Sequence, residues 1–180
     1  MKFILILSLC FGFDAFAVSK VEGLDIISQE VKVIDFSNLK DSEKGTVVLF
    51  LSPLCPCSEA HTGTIKALMK EYKDFKFVGI YSSAEENEEF REYFRMKDFG
   101  MPVLRDAKYT FANELGALST PHAFVINKKG EILYKGGVTS SSKAKKGSDQ
   151  LLNTALKQIE EKKEVSPKET RVLGCAIRDT

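Results

Sequence analysis

Residues 46–51 read Thr-Val-Val-Leu-Phe-Leu, an unbroken run of β-branched, aliphatic and aromatic side chains. A strand of that composition has no polar face to offer to water, so it must be covered on both sides. Ser52-Pro53-Leu54-Cys55-Pro56-Cys57-Ser58 then forms a proline-punctuated turn. Ile65, Leu68, Met69 and Tyr72 follow at helical spacing, and Ser58 is the expected N-cap with Glu59 in the first turn. The same alternation continues down the chain. Residues 31–36 alternate apolar and polar as a partly exposed strand, and residues 75–81 form a second buried one. Residues 85–97 place Phe90, Tyr93, Phe94 and Lys97 along one side of a helix. Residues 102–104 are a short strand, and residues 109–115 a short helix stopped by Gly116. Residues 123–127 and 131–135 form a hairpin around Lys128-Lys129-Gly130, and residues 149–163 a last helix with Leu152, Ala155 and Leu156 inward. The order β–β–α–β–α–β–α–β–β–α predicts an α/β fold: a three-layer sandwich with a mixed central sheet and helices on both faces.

Both ends stand apart from this pattern. Lys2, the apolar stretch 3–13 and Ala15-Phe16-Ala17 match a bacterial-type signal peptide with its cleavage site. The apolar stretch is too short for a permanent membrane anchor. Lipidation at Cys10 is the competing reading, but Leu9 is bulky where a small residue is required. The expected organisation is a signal peptide over 1–17, one domain over 18–163, and an extended arm over 164–180 carrying Cys175. The expected location is periplasmic or secreted, with no membrane contact after cleavage. The chain holds 26 basic and 25 acidic side chains, which argues against nucleic acid as a partner. The basic stretch Lys143-Ala144-Lys145-Lys146 reads as a solvated loop. The protein is expected to act as a monomer.

Cleavage after residue 17 removes Cys10 and leaves Cys55, Cys57 and Cys175. Three thiols are too few for a structural disulfide scaffold. A lone cysteine is often just a small buried hydrophobe, but two flanking a proline fit that reading poorly. The free N–H groups and the dipole at a helix N-terminus stabilise a thiolate, which is the attacking species in disulfide exchange. Cys55 is therefore the candidate nucleophile. With one residue between them, Cys55 and Cys57 would close a small ring of difficult geometry.

The segment Phe50-Leu51-Ser52-Pro53-Leu54-Cys55-Pro56-Cys57 resembles the active site of thioredoxin-like redoxins, the group of thioredoxins and the alkyl hydroperoxide reductase–thiol-specific antioxidant proteins. Thr120-Pro121 matches that fold's threonine–cis-proline pair, and the likeness covers about residues 30–160. The resemblance implies a thioredoxin-like fold and an exported thiol–disulfide oxidoreductase that needs no cofactor or metal. Its partners would be protein or small-molecule thiols and disulfides and a further redox protein. Cys55 would attack, and Cys57 or Cys175 would resolve the intermediate. Thr120 and Pro121 would shape a groove whose free backbone groups pair with an extended substrate. Gly174-Cys175-Ala176-Ile177 is similar to the tail of some exported bacterial redoxins.

Two alternatives remain at this level. Ser52, three residues before Cys55, resembles the hydroxyl position of peroxiredoxin-like thiol peroxidases. Those enzymes also place an arginine before a late strand, where this chain has Thr120-Pro121-His122; Arg105 is the nearest basic candidate. The second alternative is a Cu(I)-binding metallochaperone using Cys55, Cys57 and His61, with His122 a further possible ligand. His61 has two other readings, as a cation tuning the Cys55 thiolate or as a structural hydrogen-bonding residue.

Overall fold

The structure is a computed structural model that describes residues 18–40, 43–85 and 87–177. The expected signal peptide, residues 1–17, lies outside the described residues. Seven strands form the main sheet: β1 (Lys20–Asp25), β2 (Val31–Asp35), β3 (Gly45–Phe50), β4 (Phe75–Tyr81), β5 (Val103–Arg105), β7 (His122–Ile126) and β8 (Ile132–Gly136). Two short strands, β6 (Ser119–Thr120) and β9 (Cys175–Ala176), form a second, two-stranded sheet. The helices are α1 (Pro56–Glu71), α2 (Glu88–Lys97), α3 (Thr110–Leu115) and α4 (Leu151–Glu160). None of them is long and apolar enough to cross a membrane.

The main sheet runs β2-β1-β5-β4-β3-β7-β8. Strands β3, β4 and β5 are parallel, while β7 lies antiparallel to β3 and β1 antiparallel to β5. All six residues of β3 are buried, as its composition demands. Successive side chains of a strand point to opposite faces, so each central strand serves two cores. Val47, Leu49 and Val125 join one cluster with Ile65 and Leu68 of α1, Tyr72 at its C-cap, Phe90 and Phe94 of α2, and Leu152 and Leu156 of α4. Val48, Phe50, Val78, Ile80 and Phe124 join the other with Ala112 and Leu115 of α3. Phe50 meets Phe124 edge to face at 5.7 Å between ring centres. The predicted three-layer α/β sandwich is thus the observed one. Its helices divide three to one between the faces, and α3 shares its face with Val18, Val21, Phe36 and Ile177.

The structure differs from the sequence reading at several points. Strand β1 was not expected, because Glu22 and Gly23 break its apolar pattern. It is held instead by antiparallel pairing to both β2 and β5. Helix α2 starts at Glu88, where the Asn87 side chain accepts the Phe90 N–H at 2.9 Å. Helix α1 starts three residues earlier than expected. Its N-cap is Cys55, not Ser58, and Pro56 occupies the first turn, where a missing N–H costs nothing.

The arm after α4 is laced to the domain. Lys135 N–H donates to the Lys168 carbonyl at 2.8 Å, and Thr170 N–H donates to the Lys135 carbonyl at 3.0 Å. Tyr134 Oη donates to the Gly137 carbonyl at 2.7 Å and lies 2.8 Å from Thr170 Oγ1, which also accepts the Gly137 N–H at 3.2 Å. Ile177 N–H donates to the Leu118 carbonyl at 3.0 Å, and β9 pairs with β6 in the register Ser119 to Ala176 and Thr120 to Cys175.

Candidate functional site

The Cys-Pro-Cys turn sits where buried strand β3 gives way to α1. Cys55 adopts an extended backbone (φ −99°, ψ 109°), the conformation of an N-cap. Its Sγ takes the place of the usual capping oxygen and accepts the Ser58 N–H at 3.4 Å. The Ser58 side chain turns back to accept the Ser52 N–H at 3.2 Å, which fixes the turn from its other side. Tyr93 Oη donates to Glu59 at 2.9 Å and Lys97 pairs with the same carboxylate, so α2 braces the first turn of α1. The hydrogen bond from Lys97 holds the Glu59 carboxyl below its ordinary value. The bond donated by Ser58 and the helix dipole both favour a thiolate on Cys55 once it is reduced. On the opposite side the Thr120 carbonyl oxygen lies 3.1 Å from the same sulfur, where it would accept from a protonated thiol and disfavour the anion. The Thr120–Pro121 peptide bond is cis.

Cys55 is joined in a disulfide to Cys175, with a Cα separation of 5.8 Å across 120 residues of sequence. Cys57 is a free, half-buried thiol. The three sulfurs lie within 4.8 Å of one another and form the one candidate soft-ligand cluster among the described residues. Of the two candidate resolving thiols, Cys57 and Cys175, the structure joins Cys175 of the extended arm to Cys55. Cys55, Cys57, Cys175, Thr120 and Pro121 are therefore brought to one place.

His61 is turned away from this group. It is buried, with Nδ1 2.7 Å from the Cys57 carbonyl oxygen and Nε2 2.9 Å from Thr139 Oγ1. A carbonyl only accepts, so Nδ1 carries a proton. Both ring nitrogens have oxygen partners, which corrects the expectation of His61 as a tuner of Cys55 or a ligand beside the sulfurs. Its geometry is that of a clamp between α1 and the loop after β8. The sequence signal was a spacing of four from Cys57, and this spacing brings a side chain equally to the backbone carbonyl one turn back.

His122, beside the cis-proline, is 4% exposed, and neither ring nitrogen has a protein hydrogen-bond partner. Its ring packs on Phe124 at 4.5 Å. Burial, with a smaller contribution from the Lys135 charge, pushes its pKa down to about 4. The folded protein therefore carries this imidazole neutral, while the unfolded chain protonates it near pH 6.5. Stability is fully present above that pH and falls as pH drops from about 6.5 towards 4, by on the order of 3 kcal/mol. Denaturant titrations at pH 7, 5.5 and 4.5 check this. His122→Leu should flatten the loss, and an unchanged slope would refute the assignment to His122.

Arg105, the basic candidate for a peroxidase site, donates to the Ala84 carbonyl at 2.7 Å. A cavity of about 440 Å³ opens beside the disulfide, lined by Ser52, Leu54, Tyr81, Tyr109, Cys175 and Ile177 among others. It gives solvent and small thiols a route to the sulfurs. Sequence reasoning missed Gly174 and Ile177 as parts of this site, although both lie in the tail motif it singled out.

Comparisons with known proteins agree with this geometry. A profile described as the AhpC/TSA family matches residues 18–135. A search of curated protein sequences found no significant match. An uncharacterized conserved protein from Geobacillus kaustophilus superposes with a TM-score of 0.78 at 21% identity, over 91% of this chain and 90% of its own. A hypothetical protein from Sinorhizobium meliloti gives 0.77 at 21% identity, over 92% and 94%. A secreted disulfide oxidoreductase of Mycobacterium tuberculosis gives 0.51 at 16% identity, over 62% and 79%. At these identities the structural likenesses establish the thioredoxin-like fold.

Proposed function

The chain belongs to the AhpC/TSA family, and from that premise we propose that it is a thiol–disulfide oxidoreductase whose working pair is Cys55 and Cys175. The observation that carries this reading is the pairing itself. A cysteine at the N-cap of α1 is joined to one delivered by the C-terminal arm, beside the threonine–cis-proline turn.

In the reduced protein the Cys55 thiolate attacks one sulfur of a client disulfide. A mixed disulfide forms, and the other client sulfur leaves as a thiolate and takes up a proton. The Cys175 thiolate then attacks Cys55 Sγ, and the client departs with its second thiol. One client disulfide is reduced, and the Cys55–Cys175 disulfide forms. A dithiol reductant restores the starting state, and the reverse sequence oxidises a client. Cys57 is dispensable in this cycle. Peroxide is not the oxidant we propose, because the stretch after Thr120 holds no arginine. We place the reaction in a periplasm or outside the cell, on the signal-peptide pattern of residues 1–17 and the persistence of disulfides in such compartments.

Thiol mapping by mass spectrometry tests the pairing in wild type and Cys57→Ser. A Cys55–Cys175 linkage that forms on mild oxidation, disappears on reduction and survives Cys57→Ser is the expected result. A dominant Cys55–Cys57 linkage, or three inert thiols, would overturn it. The mutual approach of the three sulfurs favours one second reading, a soft-cation site in the reduced protein. Repeating the map with Cu(I) tests that reading: joint protection of Cys55, Cys57 and Cys175 from alkylation supports it, and unchanged labelling rejects it.

A further inference from the structure

Strand β9 lies along β6 at the backbone edge beside Cys55, where the Thr120 carbonyl oxygen is 3.1 Å from Cys55 Sγ. It pairs antiparallel with β6, directly before the cis-proline, and sets Cys175 opposite Thr120. We infer that the C-terminal arm is a built-in copy of the client: the site takes an extended polypeptide carrying Gly-Cys followed, two residues after the cysteine, by an aliphatic side chain. This inference rests on the oxidoreductase reading above and specifies its substrate class.

Three features of the arm define the template. Gly174 runs so close to β6 that a Cβ there would lie 2.0 Å from the Thr120 carbonyl oxygen and 2.7 Å from its carbon. Those are backbone atoms, next to a proline and paired in a sheet, so they have nowhere to go. The position before the cysteine therefore admits glycine alone. Ala176, after the cysteine, is exposed and sets no requirement. Ile177 is 9% exposed and packs into an apolar recess with Ala112, Leu115 and Ala117. Its N–H donates to the Leu118 carbonyl at 3.0 Å, continuing the strand pairing. Main-chain pairing supplies general affinity, and the recess and the glycine contact supply selection, as in strand addition to a sheet edge.

Arm and client thus use the same edge in turn. When the Cys55–Cys175 disulfide is reduced, β9 is held only by its short pairing and by Ile177, and a client strand can replace it. Cys55 attacks the client cysteine, held in a disulfide, at the position Cys175 had occupied, and the other sulfur of that disulfide leaves as a thiolate. Cys175 then attacks Cys55 Sγ, the Cys55–client bond breaks with its electron pair on the client sulfur, and the returning arm expels the product.

The test uses the chain carrying both Cys57→Ser and Cys175→Ser, in which neither neighbouring thiol is left to resolve a mixed disulfide on Cys55. Three synthetic peptides are compared, each with its cysteine activated as the thionitrobenzoate disulfide: Leu-Gly-Cys-Ala-Ile, a version with valine in place of the glycine, and a version with serine in place of the isoleucine. Release of thionitrobenzoate is followed, and each rate is divided by the same peptide's rate with glutathione to remove intrinsic reactivity. The glycine peptide should react about tenfold or more faster than the valine version, the factor that a loss of ~1.4 kcal/mol gives. The serine version should fall between them. Equal normalised rates for all three, with every mixed disulfide formed, would overturn the template and leave the oxidoreductase reading standing. Failure of Cys55 to form a mixed disulfide with any peptide would overturn both. In the otherwise unmodified chain, Gly174→Val should slow formation of the Cys55–Cys175 disulfide, and an unchanged rate would overturn the glycine requirement.

Discussion

Cys55→Ser should abolish disulfide exchange, lowering turnover of a small disulfide substrate by roughly three orders of magnitude or more, to the unassisted level. A serine at the N-cap keeps the Ser58 N–H satisfied and preserves α1, because an oxygen caps at least as well as sulfur. The loss would therefore be chemical rather than structural, and circular dichroism of the variant should match the wild type. Cys57→Ser provides the contrast. Its sulfur is outside the disulfide, so turnover should stay within a few-fold of wild type. Side-by-side turnover of the two variants decides the matter. Comparable losses would mean that Cys57 shares the nucleophile's work and that the Cys55–Cys175 pair is not the functional unit.

Reduction should lower the melting temperature by roughly 10 °C. The Cys55–Cys175 link closes a loop across 120 residues, and constraining an unfolded chain over such a length is worth about 4–5 kcal/mol in the chain-entropy model. Each kcal/mol moves the midpoint of a domain of this size by about 2–4 °C. Scanning calorimetry of the oxidised protein, with and without a phosphine reductant, measures the difference. Cys175→Ser should melt near the reduced wild type. Equal midpoints for all three would show that the unfolded chain gains no freedom when the link is cut. The sign matters for function, since a native state that favours the disulfide is harder to reduce than an unstructured pair.

The central layers were legible because they leave little choice. Residues 46–51 have no polar face, and residues 75–81 have hardly more; the hairpin around Lys128-Lys129-Gly130 carries its own turn signal, and all fell within a residue or two of their observed places. Strand β1 was hidden because its identity comes from its neighbours. Glu22 and Gly23 carry no strand signal, and Gly23 is acceptable because Arg105 of β5 approaches its backbone closely. At the site, residue type and local position were readable, which is why Cys55 could be named with its helix. The choice between Cys57 and Cys175 as its partner was not, since nothing local connects residue 55 to residue 175 and a disulfide pairing cannot be deduced from spacing. His61 had three readings, and spacing alone did not choose among them: the helix places the Cys57 carbonyl at its Nδ1 and Thr139 holds the ring's other side, which is the structural, hydrogen-bonding reading.

The lacing of the arm along β8 has a kinetic consequence. Thr170 is pinned by Tyr134 and Gly137, so with the disulfide open only residues 171–174 separate that anchor from Cys175. A tether that short keeps the thiol near Cys55 at an effective concentration in the millimolar range or above. Any free thiol present below that level arrives second. The anchor thus makes the protein's own cysteine the faster competitor for every mixed disulfide formed at Cys55. Intermediates should then be short-lived unless Cys175 is removed.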